Sequence, residues 1–276
     1  MINVLFAGNN KVFNGMMISL LSMVKHTKCQ INAYVLTMSL TEIDDRYIPI
    51  SREQAGYLEK ILTDMNHESS LKLLDISDMF KDEMLDSVNI KNSFTPYSML
   101  RLFADKIEDI PDKIIYLDTD TIINNDLEEL YNIDISNYEL GCVKDSFNWL
   151  TPNRWGMMNT YFNAGVLLLN MKKIRETGML AKTRKMCHDK KMLYMDQDAL
   201  NRCVKFRKML PAKFNAKDKY YPEIVVHHFC GVRKKGNFFY RIKPWEVALV
   251  KTRITKYNDI LDDYEARLEK IKKEGL

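Results

Sequence analysis

The feature that most limits the fold is the regular alternation of apolar runs with segments of helical periodicity over the first 120 residues. Continuous apolar runs bounded by turn residues predict buried strands, and apolar residues spaced three and four apart predict amphipathic helices. The predicted strands are Ile2–Ala7, Ile31–Thr37, Leu71–Ile76 and Lys113–Leu117, and the predicted helices are Asn14–His26, Ser51–Met65 and Pro96–Ile107. This alternation predicts an α/β fold with a mainly parallel sheet and helices on both faces. Ligands of such sheets bind beyond the carboxyl ends of the strands.

The second half of the chain is less regular, and it contains no linker rich in glycine or serine. Strands are predicted at Tyr138–Val143, Val166–Asn170 and Ile224–His228, and helices at Asp196–Val204 and Lys256–Lys273. The last helix places six apolar or aromatic residues at helical spacing, namely Tyr257, Ile260, Leu261, Tyr264, Leu268 and Ile271. We therefore expect one domain over residues 1–250 and a C-terminal amphipathic helix over residues 251–276 that packs on it.

The net charge of +4 hides an uneven distribution along the chain. Residues 1–150 contain 13 Lys and Arg against 24 Asp and Glu, whereas residues 151–276 contain 28 against 13. A basic C-terminal half is typical of a surface that faces an anion, although the charges could equally solvate two separate surfaces. The basic residues are scattered and accompany no RNA- or DNA-binding motif, so a nucleic-acid partner is not expected.

Composition also bears on cellular location. No stretch approaches the roughly 18–20 apolar residues that a membrane span requires, and Ile2–Ala7 is too short for a signal peptide. The five cysteines are odd in number and show no CxxC spacing, as in a cytosolic protein with reduced thiols. We expect a cytoplasmic protein. Lysines near the C-terminus leave peripheral contact with the inner face of a membrane as an alternative, although interspersed carboxylates argue against it.

Two carboxylates directly follow the predicted buried strand Lys113–Leu117. Asp118 and Asp120 are separated by one residue, so in an extended chain both side chains lie on the same side. Two carboxylates at such a distance repel each other unless a cation lies between them. A hard divalent ion suits this position, since it would also bind the phosphate oxygens of a nucleoside diphosphate.

Adjacent histidines end the predicted strand Ile224–His228. His227 and His228 must point to opposite faces, so at most one of them can join the carboxylates. The alternative without a function is a core histidine whose ring nitrogens are hydrogen-bonded within the protein. Mixed carboxylate and imidazole ligation favours a transition metal such as manganese over calcium. Three cationic residues, Arg233, Lys234 and Lys235, follow and would neutralise a diphosphate.

Five segments together resemble the family 8 glycosyltransferases, which include glycogenin and the bacterial lipopolysaccharide galactosyl- and glucosyltransferases. They are Tyr116–Asp120 (YLDTD), Tyr161–Leu168 (YFNAGVLL), Tyr194–Asn201 (YMDQDALN), His228–Gly231 (HFCG) and Lys243–Trp245 (KPW). Arg101 lies 17 residues before Asp118, where the family has an arginine that contacts the donor. The resemblance covers nearly the whole chain. It implies a retaining hexosyltransferase with a Rossmann-like nucleotide-sugar transferase fold of the GT-A type, a UDP-sugar donor and usually manganese, with magnesium as the alternative.

The resemblance also implies a role for each matching residue. The metal ligands would be Asp118, Asp120 and His228. The donor would be held by Ala7, Asn9, Lys11, Arg101, Asp118, Thr119, Asn163, Ala164, Gly165, Asp196, Gly231, Lys234 and Lys243. Gln197 would lie beside the anomeric carbon as the catalytic residue, assisted by Asp196 and Arg101, and Asp145 would border the acceptor. Without the family pattern, Asn163–Gly165 would be interpreted as a turn, Asp196 as a helix N-cap and Arg101 as a surface ion-pair partner.

Two departures from the family pattern affect donor binding. The family usually has acidic residues and a tyrosine after the first strand, where this chain has Asn9 and Val12. Asn9 can still pair with uracil through its amide, and Phe13 is the candidate to replace the stacking tyrosine. The phosphate-binding lysine usually follows the metal histidine by six residues, which is the position of Lys234. Lys243, which keeps the KPW tripeptide, follows by 15, so either lysine could contact the diphosphate.

The function expected from these features is hexosyl transfer, of glucose or galactose, to a glycan or lipid-linked acceptor in cell-surface glycan synthesis. Retention could proceed by double displacement or by front-face attack, and the glutamine at position 197 favours the latter because a covalent route requires a carboxylate nucleophile. One alternative is a catalytically silent nucleotide-sugar or carbohydrate-binding protein of the same fold. Another is a metal-dependent nucleotidyltransferase or phosphatase, which would leave the segments at 161–168 and 194–201 unexplained. The sequence does not indicate an oligomeric state.

Overall fold

The computed structural model describes residues 1–92, 94–145, 160–217, 219–231, 233–235 and 238–274. Within these ranges, the side chains of 233–235, 238, 239 and 274 are not described. The described residues form eleven strands. The strands of the central sheet are β1 (Ile2–Ala7), β2 (Ile31–Thr37), β3 (Ser70–Asp75), β4 (Lys113–Leu117), β6 (Leu140–Lys144), β7 (Phe162–Asn170) and β8 (Arg207–Leu210). Two small pairs lie outside that sheet, β5 (Thr121–Ile123) with β9 (Val226–His228), and β10 (Arg233–Lys235) with β11 (Phe238–Tyr240).

Helices connect most of these strands. They are α1 (Phe13–His26), α2 (Arg52–Thr63), α3 (Ser77–Met84), α4 (Glu128–Tyr131), α5 (Met171–Thr177), α6 (Met179–Asp189), α7 (Met195–Cys203), α8 (Val247–Lys251) and α9 (Asn258–Glu274). Short 3₁₀ turns occur at Asn10–Val12, Ala212–Phe214 and Thr255–Tyr257, and a longer 3₁₀ segment spans Pro96–Lys106. Among the described residues, none of the helices has the length and apolar character needed to cross a bilayer.

The central sheet has the order β3-β2-β1-β4-β7-β6-β8 and is mainly parallel. Strands β1, β2, β3 and β4 run parallel, β8 runs parallel to β6, and only β7 runs antiparallel to its two neighbours. The parallel strands β1 and β4 are nearly continuous buried apolar runs because helices cover both of their faces, whereas the edge strand β3 has no buried residue. Val4 and Phe6 of β1 belong to one apolar core and Leu5 to the other. The predicted α/β architecture is therefore confirmed.

The helix that ends the chain packs against α1. Its apolar residues Ile260, Leu261, Tyr264 and Ile271 are buried in the same core as the inner face of α1. Tyr257, immediately before α9, is fully buried, and its hydroxyl lies 2.9 Å from Nδ1 of His227. The stripe predicted from helical spacing thus covers one face of the protein body.

Some local predictions are confirmed and others are wrong. The helix predicted from Ser51 is α2, and Ser51 caps it in a reciprocal capping box with Gln54. The segment after Pro96 is helical over the predicted residues but is 3₁₀ rather than α-helical. Asn163–Gly165 lie inside β7 rather than in a turn, because β7 also pairs with β6 as far as Phe162, and Asp196 lies inside α7 rather than at its N-cap.

Candidate active site

A cleft of about 260 Å³ opens at the carboxyl end of β4. Its walls are the turn after β4, the first half of β7, the N-terminal turn of α7 and the end of β9. The side chains and backbone that these elements contribute include Asp118, Asp120, Asn163, Ala164, Gly165, Asp196, Gln197, His228, Cys230 and Gly231. The cleft therefore lies where a parallel sheet is expected to bind its ligand.

Three potential ligands converge at the base of this cleft. One oxygen each of Asp118 and Asp120 and a ring nitrogen of His228 lie within 4.8 Å of one another. Nε2 of His228 is 3.1 Å from Oδ1 of Asp120 and 3.6 Å from Oδ2 of Asp118. Neither contact is aligned as a hydrogen bond, so this buried nitrogen has no hydrogen-bond partner among the described residues. An orphaned imidazole nitrogen that faces two carboxylate oxygens fits a metal ion.

The remaining oxygens of the two aspartates are bound by the protein. Oδ1 of Asp118 accepts hydrogen bonds from Nη2 of Arg101 at 2.9 Å and from the hydroxyl of Tyr116 at 2.8 Å. Oδ2 of Asp120 forms an ion pair with Nζ of Lys243. Each carboxylate is thus held in place through one oxygen and presents the other towards His228.

The titration behaviour of this cluster reflects its charges. Burial works to raise the pKa of Asp120, but His228 and Lys243 outweigh it and hold that pKa well below its usual range. Burial works to lower the pKa of His228, but the charges of Cys230 and Asp120 raise it to about 10. Burial is also the main reason that the pKa of Asp196 is raised. Asp120 and His228 therefore stabilise each other's charged forms, and a bound cation would take over this role from the proton on His228.

Gly165 allows the three ligands to approach one another. A Cβ atom at this position would lie 2.1 Å from Cε1 of His228 and 2.7 Å from Oδ2 of Asp118, so any side chain would displace them. The Gly165 carbonyl also accepts a hydrogen bond from the backbone N–H of Asp118 at 2.7 Å. The glycine is therefore required for space, and not for a turn.

A second close approach fixes the turn between the two aspartates. Gly15 of α1 packs so tightly that a Cβ atom would lie 2.4 Å from the carbonyl oxygen of Thr119 and 2.8 Å from the ring of Trp245. The hydroxyl of Thr121 donates to the carbonyl of Asp118 at 2.9 Å. Trp245 thus has a structural role, and Thr119 presents its backbone to α1.

Gln197 is held by four groups at the centre of the cleft. Its Oε1 accepts hydrogen bonds from Nδ2 of Asn163 at 2.9 Å and from the backbone N–H of Ala164 at 3.0 Å. Its Nε2 donates to Oδ2 of Asp145 at 3.2 Å and contacts the hydroxyl of Tyr161 at 3.1 Å. The orientation of this amide is thus set by a backbone donor on one side and by a carboxylate on the other.

Two buried ion pairs flank Gln197. Nε of Arg101 lies 3.1 Å from Oδ2 of Asp196, and its Nη1 donates to the carbonyl of Ala164. Burial works to lower the pKa of Arg101, but the neighbouring Asp118, Tyr116 and Asp196 raise it overall. On the other side, Nζ of Lys217 lies 2.6 Å from Oδ1 of Asp145, and both side chains are more than nine-tenths buried.

The residues predicted to bind the nucleoside lie elsewhere. Ala7 is the last residue of β1, and Asn9, two residues later, is buried. Neither residue is among the described residues that line the cleft. Lys11 lines a separate groove with Phe13 and Tyr57, next to the end of α9. The side chain of Lys234 lies outside the described structure, and β10 and β11 form a hairpin between His228 and Lys243. The extra residues before KPW therefore include two short paired strands.

The structure separates the adjacent histidines and adds residues that the sequence did not indicate. His227 faces away from the cleft and stacks on Phe229, whereas His228 faces the carboxylates. Asn215 and Lys217 were not predicted to contribute to the site. They alternate with Ala216 after a buried phenylalanine, and this spacing of two is the only signal that could have identified them.

Comparison with known proteins identifies the family. The glycosyl transferase family 8 model matches residues 3–236. A glycosyltransferase candidate of Haemophilus influenzae is 30% identical over 252 residues, which cover 84% of this chain and 72% of that protein. The lipopolysaccharide 1,3-galactosyltransferase of Salmonella typhimurium is 28% identical over 134 residues, which cover 43% of this chain and 39% of that protein.

A solved structure also resembles this one. The galactosyltransferase LgtC in complex with donor and acceptor sugar analogues matches with a TM-score of 0.70 and 20% identity, over 95% of this chain and 96% of that chain. The likeness at this identity supports a shared GT-A fold, and the family model covers most of the sequence. The chain therefore belongs to glycosyl transferase family 8.

Proposed function

We propose that this protein is a retaining, metal-dependent hexosyltransferase that moves glucose or galactose from a UDP-sugar to a glycan or lipid-linked acceptor. The observation that carries this proposal is the convergence of Asp118, Asp120 and the orphaned Nε2 of His228 at the base of the cleft. A mixture of two carboxylate oxygens and one imidazole nitrogen favours Mn²⁺, with Mg²⁺ as the alternative. A divalent cation bound there would stabilise the negative charge of the departing nucleoside diphosphate.

The donor would lie between the metal ligands and α7. Lys243, which is paired with Asp120, would place a second positive charge beside the leaving diphosphate. Arg101 and Asp196 form a rigid pair on the sugar side of the cleft. We retain Ala7, Asn9 and Lys11 as proposed contacts of the nucleoside, with residues 1–250 as the catalytic domain.

The environment of Gln197 supports front-face attack over double displacement. The lone pairs of its amide oxygen already accept hydrogen bonds from Asn163 and from the backbone of Ala164, which leaves a poor nucleophile. In this proposal, the partial negative charge of the amide oxygen stabilises the positive charge that develops at the anomeric carbon. The acceptor hydroxyl would enter beside Asp145 and lose its proton to the leaving diphosphate.

Relatives in lipopolysaccharide synthesis support a surface glycan or glycolipid as the acceptor. The Salmonella relative is named a lipopolysaccharide 1,3-galactosyltransferase, although it matches only 43% of this chain. Such acceptors are assembled at a membrane, so we propose a cytoplasmic enzyme that works near the inner membrane face.

The test is a panel of UDP-, GDP- and ADP-sugars screened for release of the nucleoside diphosphate. We expect slow hydrolysis of UDP-glucose or UDP-galactose with Mn²⁺, and no turnover after EDTA treatment. Asp120→Asn should bind Mn²⁺ at least about tenfold more weakly, because it removes one charged ligand. NMR of the product made with a competent acceptor should show an α linkage.

A catalytically silent binding protein would give a different result. It would bind UDP-sugars in calorimetry but release no diphosphate with any metal or acceptor. Turnover that persists in EDTA would contradict the metal-dependent mechanism, and a β-linked product from a UDP-α-hexose would contradict retention.

A further inference from the structure

One amide side chain links the proposed metal site to the proposed catalytic glutamine. Asn215 is 2% exposed and lies between His228 and Asn163. Its Oδ1 is 3.0 Å from Nδ1 of His228, and its Nδ2 donates to Oδ1 of Asn163 at 2.9 Å. Asn163 in turn donates to Oε1 of Gln197 at 2.9 Å. A continuous chain of hydrogen bonds therefore joins the imidazole to Gln197.

The orientation of Asn215 follows from a backbone group. The N–H of Gly165 donates to Oδ1 of Asn163 at 3.0 Å, and a backbone N–H can only donate. This identifies the oxygen of the Asn163 amide, so the neighbouring group of Asn215 must be its NH₂. The carbonyl oxygen of Asn215 then has to face His228, and Nδ1 of that imidazole has to carry a hydrogen.

We propose that Asn215 is a positioning residue that holds a hydrogen on Nδ1 of His228 and thereby directs the Nε2 lone pair towards Asp118 and Asp120. Through its hydrogen bond to Asn163, the same amide also fixes the position of Gln197 relative to the metal site. The proposal rests on the function proposed above. A partner that orients a ligating histidine is a recognised contributor to metal affinity.

The backbone around Asn215 is tied to the strand that carries His228. The carbonyl of Ala216 accepts a hydrogen bond from the N–H of His228 at 2.7 Å, and the N–H of Ala216 donates to the carbonyl of Val226 at 3.0 Å. The N–H of Asn215 donates to the carbonyl of Ala212 and closes the 3₁₀ turn before it. Asn215 and His228 are therefore positioned as one unit, which keeps their side chains aligned.

The two halves of the Asn215 amide have separable tasks. The oxygen accepts from His228, whereas the NH₂ group donates to Asn163. Asn215→Asp keeps an acceptor for the imidazole but has no donor for Asn163. Asn215→Leu has a similar size but neither acceptor nor donor. The first variant isolates the link to Gln197, and the second removes both links.

The experiment measures Mn²⁺ affinity by calorimetry and by EPR of the bound ion, together with kcat and KM for the UDP-sugar. Asn215→Leu should weaken Mn²⁺ binding by about 10- to 100-fold, the usual effect of losing a group that orients a ligand. Asn215→Asp should keep Mn²⁺ affinity within about threefold of wild type, while kcat falls by at least about tenfold because Asn163, which donates to Gln197, loses the donor that holds it. This split between metal affinity and kcat would not arise from a general loss of structure.

Asn124→Leu is the matched control. Asn124 is a buried asparagine at the far end of β5, and its Nδ2 donates to the carbonyl of Ile224 at 2.9 Å. Its replacement should lower Tm, as we also expect of Asn215→Leu, but leave Mn²⁺ affinity unchanged.

The possible results separate this inference from the proposed function. If wild-type protein binds Mn²⁺ and turns over, and both Asn215 variants bind Mn²⁺ like wild type, the inference is overturned while the function stands. Equal weakening in Asn215→Asp and Asn215→Leu would also overturn it, since the retained acceptor should preserve the site. If wild-type protein binds no divalent cation, the proposed function fails, and the inference fails with it.

Discussion

Replacing Gly165 by alanine tests the geometry of the metal site most directly. The new methyl group would lie 2.1 Å from Cε1 of His228 and 2.7 Å from Oδ2 of Asp118. Non-bonded carbons are stable at separations of about 3.5 Å, so the imidazole would have to retreat by about 1.4 Å. It cannot do so easily, because its Nδ1 is hydrogen-bonded to Asn215 and its ring is buried.

The magnitude of the effect follows from that displacement. A misplacement of about 1 Å at a reacting or ligating group can lower the rate by about 100-fold. Overpacking of a tight core costs about 1–3 kcal/mol, which corresponds to a fall in Tm of about 2–10 °C for a chain of this size. Gly165→Ala should therefore fold, melt slightly earlier, bind Mn²⁺ at least about tenfold more weakly and lose about 100-fold in kcat.

The assay combines calorimetric Mn²⁺ titration, UDP release and thermal melting. Gly141→Ala is the matched control, since its Cβ would lie 3.0 Å from Cδ1 of Leu210 in the same sheet but does not reach the cleft. The control should lose stability with little change in Mn²⁺ affinity. Wild-type Mn²⁺ binding and turnover in Gly165→Ala would refute the proposed site, because His228 and Asp118 cannot both keep their positions beside a methyl group.

Three further predictions concern other parts of the cleft and core. Lys217→Met removes the ammonium that Asp145 contacts and should destabilise the fold by about 3–5 kcal/mol in thermal melts, whereas unchanged stability would mean that this pair contributes nothing. Lys243→Ala should raise the donor KM by at least about tenfold, because one charge-assisted contact is lost. This rise in KM should be larger than the rise caused by Lys234→Ala. A larger rise in Lys234→Ala would instead indicate that Lys234 binds the diphosphate. Burial raises the pKa of Cys142 to about 12, so mass spectrometry should find this thiol unlabelled by iodoacetamide at pH 8 in native protein and labelled in urea.

Much of the fold could be predicted because its strongest signals are local. Strands β1, β2 and β4 have the predicted bounds, since each is a buried apolar run between turn residues. Shorter elements such as α3 and β8 escaped prediction, because few residues show periodicity and tertiary packing decides their conformation. Tertiary packing also explains why the segment that begins at Pro96 forms a 3₁₀ helix rather than an α-helix, since eight of the eleven residues of this segment are buried.

The sequence could predict the features of the candidate site that depend on neighbouring residues, but not those that depend on residues far apart in the chain. Asp118 and Asp120 could be predicted as neighbours from their spacing, and the opposite directions of His227 and His228 from strand alternation. The contacts of Asn215 with Asn163 and of Lys217 with Asp145 span 52 and 72 residues. Nothing in the local pattern pairs such residues, so only the folded chain reveals which amide faces which partner.

The orientation of His227 in β9 has a practical consequence. Whereas one ring faces the cleft, His227 stacks on Phe229 and meets the hydroxyl of Tyr257 just before α9. A shortened protein that stops ahead of Tyr257 would uncover the rear of the strand that presents His228. A truncated protein made for crystallisation should therefore keep α9, and removal of the residues from Tyr257 onwards should lower activity without altering any residue that lines the cleft.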